Sequence, residues 1–423
     1  MTDTFLLDHR SKSYPLSAAP CEGNQIGERG WNVLADDLAY PLATLRRSAL
    51  AHNLAWMQDF ARRKGVHLAP HGKTTMSPEL FAMQLQGGAW GLTFATIYQL
   101  AVGVRAGARR AIIANQVLGD ADLDGLAALL ARHADLRVWF LVDSLAQLAL
   151  IEDWATRRSF NGRLDVLLEI GVPGQRTGVR TLEAALELAR AIARSPAARL
   201  GGIECYEGSV ATCDREHDAR EVSALLRRVN DAVRACDAEH LFDDEHFLLT
   251  AGGSAVFDLV VPMLRTADLS RPVQGVLRSG CYLTHDHGNY RRFLAQVEKR
   301  EGLDASLRPA LEVWAQVQSV PEPGLALLTC GRRDISYDLE MPIPVHHAPR
   351  GERTAAAVPA DWKISALNDQ HAYLRFDSAG TVPAVGDRVA LGISHPCTTF
   401  DKWRWMAIVE NDGGVSGAIQ TCF

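Results

Sequence analysis

Four short stretches of the 423-residue chain gather residues that could do chemistry. The first is Ala69-Pro-His71-Gly-Lys73-Thr-Thr, which closes a short apolar run at 66–69. Partial desolvation of a lysine amine just past a buried strand would suit it to attack an aldehyde. Taken alone, it also reads as a solvated loop lysine. The second, Glu169-Ile-Gly-Val-Pro-Gly-Gln-Arg176-Thr-Gly, joins an acid, a glycine-rich turn and an arginine; an arginine opening a helix after a plain turn is the other reading. The third, Thr250-Ala-Gly252-Gly253-Ser254, offers backbone N–H groups and a hydroxyl of the kind that hold a phosphate. Ser279-Gly280-Cys-Tyr282 offers a similar turn further on, although such turns are common without ligands. The fourth, Ser394-His395-Pro-Cys397, presents an imidazole and a soft thiolate, a mixture that zinc suits best. Two ligands do not by themselves make a metal site, and the same spacing occurs in ordinary turns.

Elements with a regular rhythm must position these residues. Apolar, β-branched runs at 66–69, 91–95, 111–115, 137–142, 165–170, 200–205, 247–250 and 274–277 read as eight strands, with room for a helix in each gap. Residues 180–194 and 218–236 carry apolar side chains at helical spacing, with charges elsewhere. Uniformly apolar strands alternating with such helices imply a parallel sheet covered on both faces. Eight repeats point to a (β/α)8 barrel, in which loops at the strand C-termini carry the chemistry; a doubly wound open sheet alternates in the same way. The rhythm stops near residue 285. Beyond it, short runs at 311–319, 324–330, 372–376, 387–393 and 405–410 are bounded by Pro/Gly clusters and read as a mostly β domain. The expected division is a barrel at 41–284 and a β domain at 285–423, with residues 1–40 packing on the latter.

The formal net charge of −6 argues against nucleic acid or an anionic membrane as partner. No apolar run is long enough to span a bilayer, and the opening residues lack a secretory pattern, so a cytoplasmic location is expected. The eight cysteines form no CxxC pair, and apart from Cys397 they read as buried small hydrophobes.

Pro41-Leu-Ala-Thr-Leu, then His52-Asn53-Leu54, then Pro-His-Gly-Lys73-Thr resemble the alanine-racemase-like barrels of pyridoxal-phosphate enzymes. More narrowly, they resemble the D-serine dehydratase and D-threonine aldolase family, and the likeness runs from about Pro41 to the C-terminus. The resemblance implies that Lys73 holds pyridoxal 5'-phosphate as a Schiff base beside His71, and that Arg176 lies near the pyridine ring. An arginine facing the ring nitrogen would disfavour its protonation and weaken the ring as an electron sink. Tyr206 and Tyr282 fall on family tyrosines near the cofactor, with Gly252, Gly253, Ser254 and Gly280 toward its phosphate; Tyr206 also reads as a rim residue. His395 and Cys397 fall on metal ligands, for Zn2+ or another divalent ion. His371, in Asn368-Asp-Gln-His, resembles a family histidine and reads equally as acid/base, positioning or structural. Thr75 stands where many relatives have histidine, and His285-Asp-His287 also departs from the pattern. The implied function is a zinc-dependent dehydratase of small β-hydroxy D-amino acids such as D-serine, working as a homodimer. A D-threonine or D-3-hydroxyaspartate aldolase is the alternative. A non-catalytic cofactor carrier is remoter, because such carriers have little beyond the barrel; so is a racemase, which uses a second-domain tyrosine and no metal.

Overall fold

The structure is a computed structural model that describes residues 4–243 and 247–423. Residues 1–3, the head of the segment expected on the second domain, lie outside the described residues. Eight parallel strands follow one another through the first part: β1 (His67–Leu68), β2 (Leu92–Phe94), β3 (Arg110–Gln116), β4 (Arg137–Val142), β5 (Leu164–Ile170), β6 (Ala198–Cys205), β7 (Phe247–Ala251) and β8 (Val273–Leu277). Each pairs with the next, and β8 pairs back onto β1. Between β1 and β2 the ring closes through a single parallel bridge, His71 to Thr93. The (β/α)8 reading therefore holds, and the open doubly wound alternative does not.

Alternation along the strands separates two cores. Ala69, Ile112, Trp139, Leu141, Leu167, Leu248 and Val276 fill the barrel interior as one cluster. Val138, Phe140, Val142, Val166, Leu168 and Ile203 belong instead to the larger cluster beneath the helices. Successive strand residues point to opposite faces, so Glu169, two past Leu167, and Arg278, two past Val276, share the inward face near the C-terminal mouth. The helices cover the outside with apolar stripes. Leu182–Arg194 buries Ala185, Leu188, Ala189 and Ile192, and Thr181 caps it by accepting from the Ala184 N–H.

The second part is antiparallel apart from one contact. A long strand, β9 (Leu311–Glu322), pairs on one side with β14 (Arg388–Gly392) and later with β10 (Leu325–Leu328). The sheet continues through β11 (Ile343–Ala348), β12 (Lys363–Leu367) and β13 (Ala372–Arg375), and β15 (Trp405–Val409) pairs with β16 (Val415–Gln420). Residues Leu42–Arg46, within the span expected for the barrel, form a strand of this second sheet, antiparallel to β9 and parallel to β15. Leu7, Tyr14, Ile26 and Val33 of the opening segment pack with Trp314, Ala390 and Trp405 of the β part. Among the described residues no helix is long and apolar enough to cross a membrane.

The two parts are joined by a buried amide. Asn53, on the helix Arg47–Lys64, donates to the Leu283 carbonyl at 2.9 Å and the Arg308 carbonyl at 2.7 Å, and accepts from the Arg308 N–H at 2.7 Å. Its neighbour His52 reaches the Ser306 carbonyl at 2.8 Å. Asn53→Leu strands three backbone groups, at a cost of about 3 kcal/mol. The expected result is a lowered denaturation midpoint at unchanged slope; a midpoint within error of wild type would remove this joint from the account.

Candidate active site

Lys73 sits where the barrel closes. The Ala69 N–H donates to the Leu277 carbonyl at 2.8 Å and the His71 N–H to the Arg278 carbonyl at 3.1 Å, which holds this stretch on one side. Thr93 holds the other side, its N–H donating to the Pro70 carbonyl at 2.9 Å and its hydroxyl to the Ala69 carbonyl at 2.7 Å. Proline at position 70 costs nothing here because the flanking residues make these bonds. The chain then turns through a 3-10 turn, Gly72–Thr74, with the His71 ring accepting from the Lys73 N–H. A Cβ on Gly72 would come within 2.6 Å of Phe94 and 2.8 Å of Phe81, so glycine lets the turn press onto the core. Gly280 does the same opposite, where a Cβ would meet the His71 carbonyl oxygen at 2.5 Å. The Lys73 side chain is exposed in a cleft also lined by His71, Glu169, Arg176, Glu204, Tyr206, Gly252, Gly253 and Arg278.

The cleft floor is charged. Arg278 and Glu204 are both buried and meet at 2.5 Å, and Arg278 also donates to the Cys205 carbonyl at 2.9 Å. Glu169 accepts from Gln116 at 2.5 Å and from Thr177 at 2.7 Å. Burial, then the Glu204 charge, pushes its carboxyl up to about 7, although the two hydrogen bonds oppose the rise. Burial and the Lys73 and Arg278 charges push His71 well below the usual imidazole range, so it is a neutral acceptor for the Lys73 backbone.

The other candidate residues are spread around and behind this cleft. Arg176 is exposed at the rim, its guanidinium carbon 5.2 Å from the Tyr206 ring centroid, and the buried cation of the cleft is Arg278. The amides of Gly252 and Gly253, read as free for a phosphate, donate to the buried Glu207 carboxylate at 3.0 and 2.6 Å. The Ser254 hydroxyl accepts from the Cys281 N–H at 3.1 Å and lines a second cleft that shares Tyr206 with the first. Tyr282 is turned into the core, where its hydroxyl meets Gln84 at 3.3 Å, because the backbone after β8 directs it away from the cleft. His371 lies at the turn between β12 and β13 and lines neither cleft. His285 is buried and His287 half-buried, and desolvation pushes both down to about 4. Thr75 is buried beside the lysine turn.

His395 and Cys397 approach from the β part. The His395 Nδ1 lies 2.6 Å from Asp338, whose other oxygen accepts from Thr398 at 2.7 Å, a carboxylate-on-imidazole arrangement of the kind that orients metal-binding histidines. The Cys397 sulfur lies 3.4 Å from the Thr74 hydroxyl, one residue past the lysine, and 3.9 Å from the Cys281 sulfur. Among the described residues no three His, Cys, Asp or Glu side chains stand close enough together to hold a metal ion. Arg278, Glu204, Glu207, Asp338 and Cys281 were missed from the sequence. Strand alternation alone could have placed Arg278 and Glu204 inward; nothing local marks the other three.

The raised Glu169 has a definite pH signature. Its folded-state pKa of about 7 lies above the ordinary 4.5, so the folded chain binds more protons between these values and stability falls as pH rises through them. The penalty is complete above pH 7 and is on the order of 3 kcal/mol. Cofactor-free Glu169→Gln is expected to melt above wild type at pH 8 and with it near pH 4.5. A difference that does not vary with pH would show that Glu169 is not the buried acid described.

Comparison with known proteins places this arrangement. Residues 45–272 match the family model described as alanine racemase, N-terminal domain, and residues 310–409 match the putative serine dehydratase domain. The chain is 25% identical over 377 residues to the 3-hydroxy-D-aspartate aldolase of Paracoccus denitrificans (strain Pd 1222), covering 89% of each. It is 26% identical to the D-threo-3-hydroxyaspartate dehydratase of Delftia sp. (strain HT23), covering 89% of this chain and 95% of that one. The D-threonine aldolase structure from Filomicrobium marinum superimposes with a TM-score of 0.76 at 24% identity, over 93% of this chain and 97% of that one. Because the first match spans more than half of its length, the chain belongs to the family of the alanine racemase N-terminal domain.

Proposed function

We propose that this chain is a pyridoxal-phosphate- and divalent-metal-dependent dehydratase of small β-hydroxy D-amino acids, D-serine being the simplest, giving a 2-oxo acid and ammonia. The observation that carries it is the meeting of the lysine turn with a cysteine of the second domain, Thr74 Oγ1 to Cys397 Sγ at 3.4 Å. That contact puts a soft metal-binding thiol beside the amine. The cleft suits the cofactor: an exposed lysine amine, a neutral histidine and a fixed guanidinium converge at one barrel mouth. Lys73 would hold its aldehyde carbon, and Ser254 and the turn at Gly280 would face its phosphate. Arg176 and Tyr206 would flank its ring. Cys397 and His395 would hold zinc. Bound there, the cofactor supplies an electron sink for charge at Cα and the metal a Lewis acid for the β-hydroxyl.

The chain's own groups do the rest. Arg278, held by Glu204, keeps a positive charge at the floor that does not reorganise during reaction. The Lys73 amine, freed when the substrate amine takes its place and with its backbone held by the His71 ring, would take the Cα proton. The Cβ–O bond breaks with loss of water, and the resulting enamine tautomerises and takes up water to release ammonia and the 2-oxo acid. His371 stands outside this set and is read as structural. A homodimer in the cytosol belongs to the same reading, carried by the family resemblance and the modest net charge.

An aldolase is the second reading, favoured by the names of the Paracoccus and Filomicrobium proteins. There the base takes the β-hydroxyl proton and the Cα–Cβ bond breaks. Incubation of the loaded protein with D-serine and D-threonine is expected to give pyruvate and 2-oxobutyrate with ammonia. Glycine and acetaldehyde from D-threonine, with D-serine untouched, would replace the proposal by the aldolase. Cys397→Ala is expected to lower kcat/KM at least about 100-fold, and full metal-independent turnover in that variant would sink the metal role.

A further inference from the structure

Cys281 follows β8 of the barrel, while Cys397 opens the short helix Cys397–Phe400 of the β part. They are far apart in the chain, yet their sulfurs lie 3.9 Å from each other. Cys281 is buried, its N–H is fixed on the Ser254 hydroxyl at 3.1 Å, and its sulfur lies 3.7 Å from the Thr74 hydroxyl. That hydroxyl is also 3.4 Å from Cys397. The two thiols and the hydroxyl therefore form one triangle directly behind the lysine turn.

Two thiols at this distance are not joined by a disulfide, whose sulfurs lie about 2.0 Å apart. The spacing fits a different partner. Two sulfurs each about 2.3 Å from one tetrahedral zinc stand about 3.8 Å from each other, close to the 3.9 Å between Cys281 and Cys397. We propose that Cys281 is a second thiolate ligand of the divalent metal, so that the ion is held between barrel and β domain by Cys281 and Cys397 together. This rests on the metal-dependent reading above and deepens it. Two thiolates make the site softer than a histidine–cysteine pair, favouring zinc over manganese or magnesium. The metal would also tie the second domain to the residue next to Lys73.

The test uses the full chain loaded with pyridoxal phosphate and with cobalt(II) in place of the native metal. The thiolate-to-cobalt charge-transfer band counts the sulfurs. The expected result is that Cys281→Ser and Cys397→Ser each lose about half of the wild-type intensity while keeping the cofactor absorbance. A Cys281→Ser band equal to wild type, with Cys397→Ser losing all of it, would overturn the role of Cys281 and leave the single-cysteine site standing. No band in wild type would overturn both this inference and the metal in the proposed function. X-ray absorption of the zinc-loaded wild type needs no variant to fold: two sulfur neighbours support the proposal, and one overturns it. A Cys281–Cys397 disulfide in freshly purified, metal-loaded protein likewise overturns it.

Discussion

The arrangement depends on how the barrel closes. β1 and β2 are short, and the seam between them is sealed by Thr93 reaching the carbonyls of Ala69 and Pro70 while Ala69 and His71 are held on the β8 side. Parallel strands impose this, because a ring of eight has no free edge and its last pairing must be made by whatever residues stand there. Here they are the residues that lead into Lys73. The turn at Gly72 can therefore lie against Phe81 and Phe94 with its direction set, and the lysine emerges from a rigid support rather than from a free loop.

Charge is arranged on that support in a way that favours some groups and holds back others. Arg278 and Glu204 satisfy each other in the interior, and breaking such a pair leaves an uncompensated buried charge, whereas keeping it provides a fixed field. Glu169 stands beside them, and its raised pKa follows from burial and from that second carboxylate. Glu207 occupies the glycine amides after β7 and so fixes the loop after β6 to the loop after β7. This carboxylate takes up the Gly252 and Gly253 amides and leaves the Ser254 hydroxyl beside them to accept from Cys281.

The second domain reaches the same point along several routes. Arg308 bonds with Asn53, which also holds the segment that leaves β8, the Cys422 N–H donates to the Met76 carbonyl at 2.8 Å, and Cys397 meets Thr74 and Cys281. All three converge within a few residues of Lys73 or of β8. The β part thus backs the lysine turn, and its strand β9 pairs with the strand Leu42–Arg46 before the chain enters the barrel.

How much was legible can be argued residue by residue. The eight parallel strands and the site of Lys73 followed from local pattern: apolar runs of strand length, helical stripes between them, and a lysine just past the first run. β11, β12 and β16 were not seen, because half-exposed antiparallel strands such as β12, with Ile364 and Leu367 buried among exposed neighbours, carry a weak apolar signal. The strand Leu42–Arg46 fell within the span read as barrel, since a sheet partner more than 260 residues away leaves no mark on three apolar residues, a threonine and an arginine. Arg278, Glu204 and Glu207 are ordinary charged residues in the chain. They become the floor and rim of a cleft only because β6, β7 and β8 are neighbours in a ring. Local pattern therefore determined the eight barrel strands and which end of the barrel carries the lysine, since hydrophobic periodicity acts over a few residues. Tertiary structure alone decided which buried charges pair, which amides are already taken and which cysteines meet, because those distances exist only once the ring has closed.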